Sequence, residues 1–118
     1  MKYNVVYNQE YNCLIGKYIG DLNIESVKKY AKEISKMARI HDCKRFINDL
    51  REATILLSVA NFYDAPSIVS IDAFDRTWKR AIITNQNFDK LNFFETTSIN
   101  QGFDVKVFKD INEALEWL

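Results

Sequence analysis

The stretch "KYNVVYN", residues 2–8, alternates apolar and polar side chains, as a strand with one buried face does. "CLIGKYIG", residues 13–20, reads as a second strand, and the "NQEYN" between them is short enough for a hairpin. The period then changes. In "DLNIESVKKYAKEISKMARIHD", Val27, Tyr30, Ala31, Ile34 and Ala38 recur at three- and four-residue spacing, which predicts a helix with one apolar face. Asn23 or Asp21 can cap its start. "KRFINDL" predicts a third strand, apolar in its middle, whose "NDLREA" exit is read as a strand-to-helix turn. "ILLSVANFYDA" predicts a helix that must stop near Pro66. "SIVSIDAFDRTW" follows as a shorter helix, with Ile68, Ile71, Phe74 and Trp78 on one side.

"KRAIIT" is the fourth strand. "NFDKLNFFETTSINQG" is a helix that Gly102 is placed to end. Phe88, Leu91 and Ile99 share one face of it, with Phe94 at the border and Phe93 on the other side. "FDVKVF" alternates strictly and predicts an edge strand, Phe103, Val105 and Val107 inward, Asp104 and Lys106 outward. "DINEALEWL" opens with Asp110 and Glu113 at capping-box spacing, and Ile111, Ala114, Leu115 and Leu118 form its buried stripe. After the first hairpin, strands alternate with helices. That order implies right-handed crossovers and a largely parallel sheet, the first strand antiparallel to the second.

Composition narrows the function. The 118 residues suit one domain, 1–118, and 47% hydrophobic residues suffice for a core. Lys plus Arg and Asp plus Glu are 16 each, so the net charge is +0 and no basic excess points to nucleic acid. The Lys28, Lys29, Lys32, Lys36 and Arg39 series has the spacing of a solvated helix face. No apolar run approaches the ~20 residues that span a bilayer. "MKYNVVYNQEYN" has no apolar signal core, so a cytoplasmic protein is expected. Cys13 and Cys43 make no disulfide framework and are expected to be reduced. "HDC", residues 41–43, holds the lone His, and adjacent residues do not converge on a metal. No metal or cofactor is expected, and His41 is placed near a helix C-terminus, where a cation is favoured.

Read together, the hairpin, "GKYIGDLNIESVKKYAKEI", "FINDLREA", "KRAIIT" and "VKVFKDINEALEWL" resemble the SpoIIAA-like (STAS/CRAL-TRIO-related) bacterial proteins over nearly the whole chain. The Val-x-Val-Phe strand and the helix closing in Ala-Leu-x-Trp-Leu are the most specific part. The resemblance implies an α/β fold, a mixed, mostly parallel four- to five-stranded sheet with an N-terminal β-hairpin and helices packed on it. It also implies a non-enzymatic role. STAS proteins act as regulatory partners, notably as antagonists of anti-sigma factors, and the SpoIIAA-like branch is connected with apolar ligands and membrane association. Sporulation-type members carry a phosphorylated Ser in an Asp-Ser-Ser-Gly loop. On "DLREATILLSVAN" that Ser falls on Ser58, but Leu57, Val59 and Ala60 replace the other three positions. Ser58 is therefore read first as a helix N-cap, with a phosphorylation site as the rival reading.

Open α/β sheets bind ligands outside the carboxyl ends of their strands. Those ends bring "GDLN", "DLRE", "TNQN" and "KD" to one edge. The expected crevice has Asp49, Arg51 and Asn85 on its polar side and Leu56, Phe62 and Tyr63, with Phe93 or Phe94, on its apolar side. The long stretch between 54 and 78, broken by Pro66, is its expected lid. Asp49 and Arg51 can also simply pair with each other. The occupant is expected to be a partner protein or a lipid-like, amphipathic small molecule, the protein a monomer or homodimer in peripheral contact with a membrane at most. The rival is a small hydrolase- or transferase-like enzyme using Asp49, Arg51 and Ser58. No Gly-rich phosphate loop supports it, and a Ser58–His41 pairing would span opposite ends of the sheet.

Overall fold

Tyr7 and Asn12 close the N-terminal hairpin: the tyrosine hydroxyl donates to Asn12 Oδ1 at 2.7 Å, and Asn12 takes the left-handed conformation, φ 49°, that asparagine tolerates. The computed structural model describes residues 2–58, 77–85 and 88–118. The strands are β1 (Lys2–Asn8), β2 (Cys13–Leu22), β3 (Arg45–Ile55), β4 (Lys79–Ile83) and β5 (Asp104–Phe108). The helices are α1 (Ile24–His41), α2 (Phe88–Asn100) and α3 (Ile111–Trp117). The sheet order is β1-β2-β3-β4-β5, antiparallel at β1–β2 and parallel elsewhere. This is the topology the alternating pattern predicts, with β5 at an edge.

Strand alternation sends successive side chains to opposite faces, and both faces are packed. On one side Leu14, Phe46, Ile82 and Val105 meet α1 and α2. On the other, Cys13, Ile47, Ala81, Ile83 and Phe108 meet α3. Helix α1 begins at Asn23, whose Oδ1 accepts from the Ser26 amide at 3.0 Å. Helix α2 ends at Gly102, φ 89°, where the Phe103 amide donates to Ser98 O and the Gly102 amide to Ile99 O, both at 2.9 Å. That pair of hydrogen bonds is the Schellman arrangement. Asp110 caps α3 through the Asn112 amide at 2.6 Å.

Three sequence expectations need correction. First, "NDLREA" is not a turn: β3 runs on through Ile55, and the Leu56 amide still donates to Leu22 O at 2.9 Å. A bulge explains why the pattern hid this. Lys17 pairs with Asp49 but Ile19 with Glu52, so two residues of β3 face Tyr18 and the period of two breaks there. Second, the helix expected from residue 55 does not start there, since Ile55 is strand; residues 59–65 lie outside the described residues, as does the short helix expected over 67–78 except for its last two residues, Thr77 and Trp78, which are not helical. Third, α2 buries Leu91, Thr97 and Ser98, while Ile99 is 53% exposed.

Candidate functional site

Around the bulge, charge gathers on the sheet face that carries α3. The Arg51 guanidinium grips the Asp49 carboxylate through Nε at 2.9 Å and Nη2 at 2.8 Å, and its own backbone amide adds a third bond at 3.1 Å. On the neighbouring strand Lys17 forms an ion pair with Glu52. Burial alone would raise the Asp49 carboxyl. The Arg51 hydrogen bonds and charge, with Lys17 nearby, outweigh it and hold Asp49 below the usual carboxylate range. Arg51 is raised in turn, chiefly by its bond to Asp49. Ile19, in register with Glu52, is 43% exposed, and Val6 on β1 is 47% exposed, so this part of the face is open among the described residues.

The opposite face holds a cavity of about 90 Å³ between the sheet, α1 and α2. Its described lining is mainly apolar, including Leu22, Val27, Ile34, Leu50, Leu91 and Phe94. Three polar side chains interrupt that lining. The Tyr30 hydroxyl, from α1, donates to Asn48 Oδ1 on β3 at 2.8 Å. Arg80, on β4, is 7% exposed and lies over the Phe103 ring at 5.4 Å. Burial lowers Arg80 to about 10, which leaves it charged at neutral pH. Burial, with the Asp49 carboxylate, pushes the Tyr30 phenol up, so it remains a donor. Gly16 makes room for this arrangement: a Cβ there would meet the Tyr30 hydroxyl at 2.4 Å.

No family model matches the chain, and no curated protein matches it. Solved structures do. An uncharacterized protein of the DUF3478 family with a SpoIIAA-like fold, from Shewanella loihica, is 21% identical over 99% of this chain and 92% of its own, with a TM-score of 0.60. An anti-sigma factor antagonist from Mycobacterium paratuberculosis is 10% identical over 98% and 93%, with a TM-score of 0.63. The anti-sigma factor antagonist SpoIIAA in its unphosphorylated form is 11% identical over 98% and 96%, with a TM-score of 0.59. The fold is SpoIIAA-like.

Among the described residues, the expected site residues of this SpoIIAA-like sheet are not gathered in one place. Asp49 and Arg51 come together, but on the face away from the cavity. Asn85 is exposed two residues beyond β4, at the carboxyl edge. Phe93 is 38% exposed on α2, while its neighbour Phe94 lines the cavity. Phe62 and Tyr63 lie outside the described residues, as does most of the lid expected between 54 and 78. Ser58 is exposed three residues past β3, and the residues that would form a helix after it are outside the description. His41 stacks on Tyr7 at 4.4 Å between ring centres, at the amino end of the sheet. The length of β3 separates it from Ser58. Sequence reading missed Arg80, Asn48 and Tyr30 as a group. One signal was available: Arg80 occupies an inward position of the apolar strand "KRAII", where charge is rare.

Proposed function

We propose that this protein is a non-catalytic binding protein that holds a small apolar or amphipathic molecule between the sheet and helices α1 and α2. The observation that carries this reading is the cavity itself, apolar walls broken by a few convergent polar groups, which is the usual make-up of a small-molecule site. Filling about 90 Å³ of apolar void recovers roughly 2 kcal/mol, to which contacts at the polar groups must add for an occupant to be held. The ligand's polar end belongs near Arg80 rather than near Arg51, because the sheet stands between Arg51 and the cavity. Two buried free thiols, Cys13 and Cys43, support a reducing, cytoplasmic setting.

An environment-sensitive fatty-acid probe tests the reading. Saturable one-to-one binding is expected in the parent protein, with loss in Ala31→Leu, which fills the cavity, and no loss in Lys28→Ala on the outer face of α1. Absence of saturable binding by the parent overturns it. Native mass spectrometry of freshly purified protein reports any retained ligand and the oligomeric state together.

A second reading, regulation through a partner protein, draws on the likeness to two anti-sigma factor antagonists and on the open charged face around Asp49 and Arg51. Phosphorylation of Ser58 would belong to that reading. The enzyme reading has less support. Asp49 is held ionised by Arg51 rather than poised near neutrality, and Ser58 and His41 occupy opposite ends of the sheet. Turnover of generic ester or phosphate substrates would revive it.

A further inference from the structure

The polar groups of the cavity floor are arranged for more than packing. Asn48 is in register with Ile82, and Arg80 with Phe46, so the two side chains stand on one sheet face, on adjacent strands, two positions apart. The Tyr30 hydroxyl occupies the carbonyl end of the Asn48 side chain. The amide end of Asn48 is left with two donors, and Asn48 lines the cavity. A guanidinium carries five donors in a planar fork, so Arg80 can keep its contact with Phe103 and still face a ligand. The floor therefore offers donors and positive charge, while the walls offer hydrocarbon.

We infer that the occupant is an apolar molecule with a carboxylate head, the head on Arg80 and the Asn48 amide and the hydrocarbon part in the cavity. The inference rests on the cavity being a binding site. A neutral alcohol of the same chain length would gain the same apolar burial but could not accept a bidentate guanidinium contact. A carboxylate taken out of water needs such a partner, and Arg80 supplies it where the walls cannot.

Calorimetric titration of the full chain at neutral pH with hexanoate and with 1-hexanol separates the two claims. Hexanoate should bind about tenfold more tightly or better, the margin expected of a charge-assisted contact. Arg80→Met should abolish that preference and keep hexanol binding. Asn48→Asp should abolish it too, since the new carboxylate still accepts from Tyr30 while competing for Arg80; it serves where Arg80→Met does not fold. Equal affinity of the parent for both probes overturns the carboxylate inference and leaves the apolar cavity reading standing. Binding of neither overturns the cavity reading itself. A hexanoate preference that survives in a folded variant overturns the placement of the head.

Discussion

Gly16→Ala perturbs the contact on which the cavity wall depends. The added Cβ would lie 2.4 Å from the Tyr30 hydroxyl oxygen and 3.0 and 3.1 Å from two atoms of the Phe46 ring. Ordinary contact begins near 3.4 Å, so the tyrosine must retreat by about 1 Å. It has little room. Its ring packs on Tyr3 at 5.5 Å, Tyr18 at 5.4 Å and Phe46 at 6.5 Å, centre to centre. Retreat also breaks its 2.8 Å bond to Asn48. Overpacking costs about 1–3 kcal/mol, and a lost buried hydrogen bond adds about 1 kcal/mol. Gly16→Ala should therefore destabilise by roughly 2–4 kcal/mol, read as a lower denaturation midpoint at unchanged slope. Tyr30→Phe supplies the control. It removes the hydroxyl that clashes, so the double variant should be less destabilised than the sum of the singles, by about 1 kcal/mol or more. The remaining cost reports the Phe46 contacts. A cost below about 0.5 kcal/mol for Gly16→Ala, or strict additivity with Tyr30→Phe, would refute the packing argument.

Asp49→Asn should cost roughly 1–2 kcal/mol, moderated because the Arg51 side chain is 40% exposed. Because the folded carboxyl is held below its unfolded value, its contribution is present above about pH 4 and is lost as pH falls through the folded value; acid denaturation of Asp49→Asn should lack that step. Gly102→Ala forces a side chain into φ 89° and should cost about 1 kcal/mol in a thermal unfolding series, where no change would contradict the helix-end assignment. Ser58→Ala should leave both ligand uptake and partner binding unchanged and cost ~1 kcal/mol or less. A partner that distinguishes Ser58→Asp from Ser58→Ala at equal stability would instead establish a switch.

Much of this fold could be read from the chain because local and global preferences agree along α1, β5 and α3. The apolar stripe of α1, its Asn23 cap, the alternation of "FDVKVF" and the Asp110 cap each survive in the structure. The reading failed where a local signal was overridden. At Leu50 and Arg51 one inserted residue breaks the strand period, and charges that suggested a solvent-facing turn are instead neutralised in place by Arg51 and Lys17. Ile99 fits a helical stripe by spacing but lies on the exposed side, because Leu91 and Ser98 set the buried line. The pairing of Asp49 with Arg51, two residues apart on one strand face, was within reach of the sequence. The grouping of Tyr30, Asn48 and Arg80 was not, since it needs the register of β3 against β4 and the height of α1 above them.

Methyl NMR places the ligand most directly. Methyl-labelled protein titrated with hexanoate should show saturable shifts at Ile34, Ile82, Leu91 and Val105, which surround the cavity, and none at Val6 and Ile19 on the far side of the sheet. Shifts centred on Val6 and Ile19, or none at any of the six, would contradict a ligand site between the sheet and helices α1 and α2.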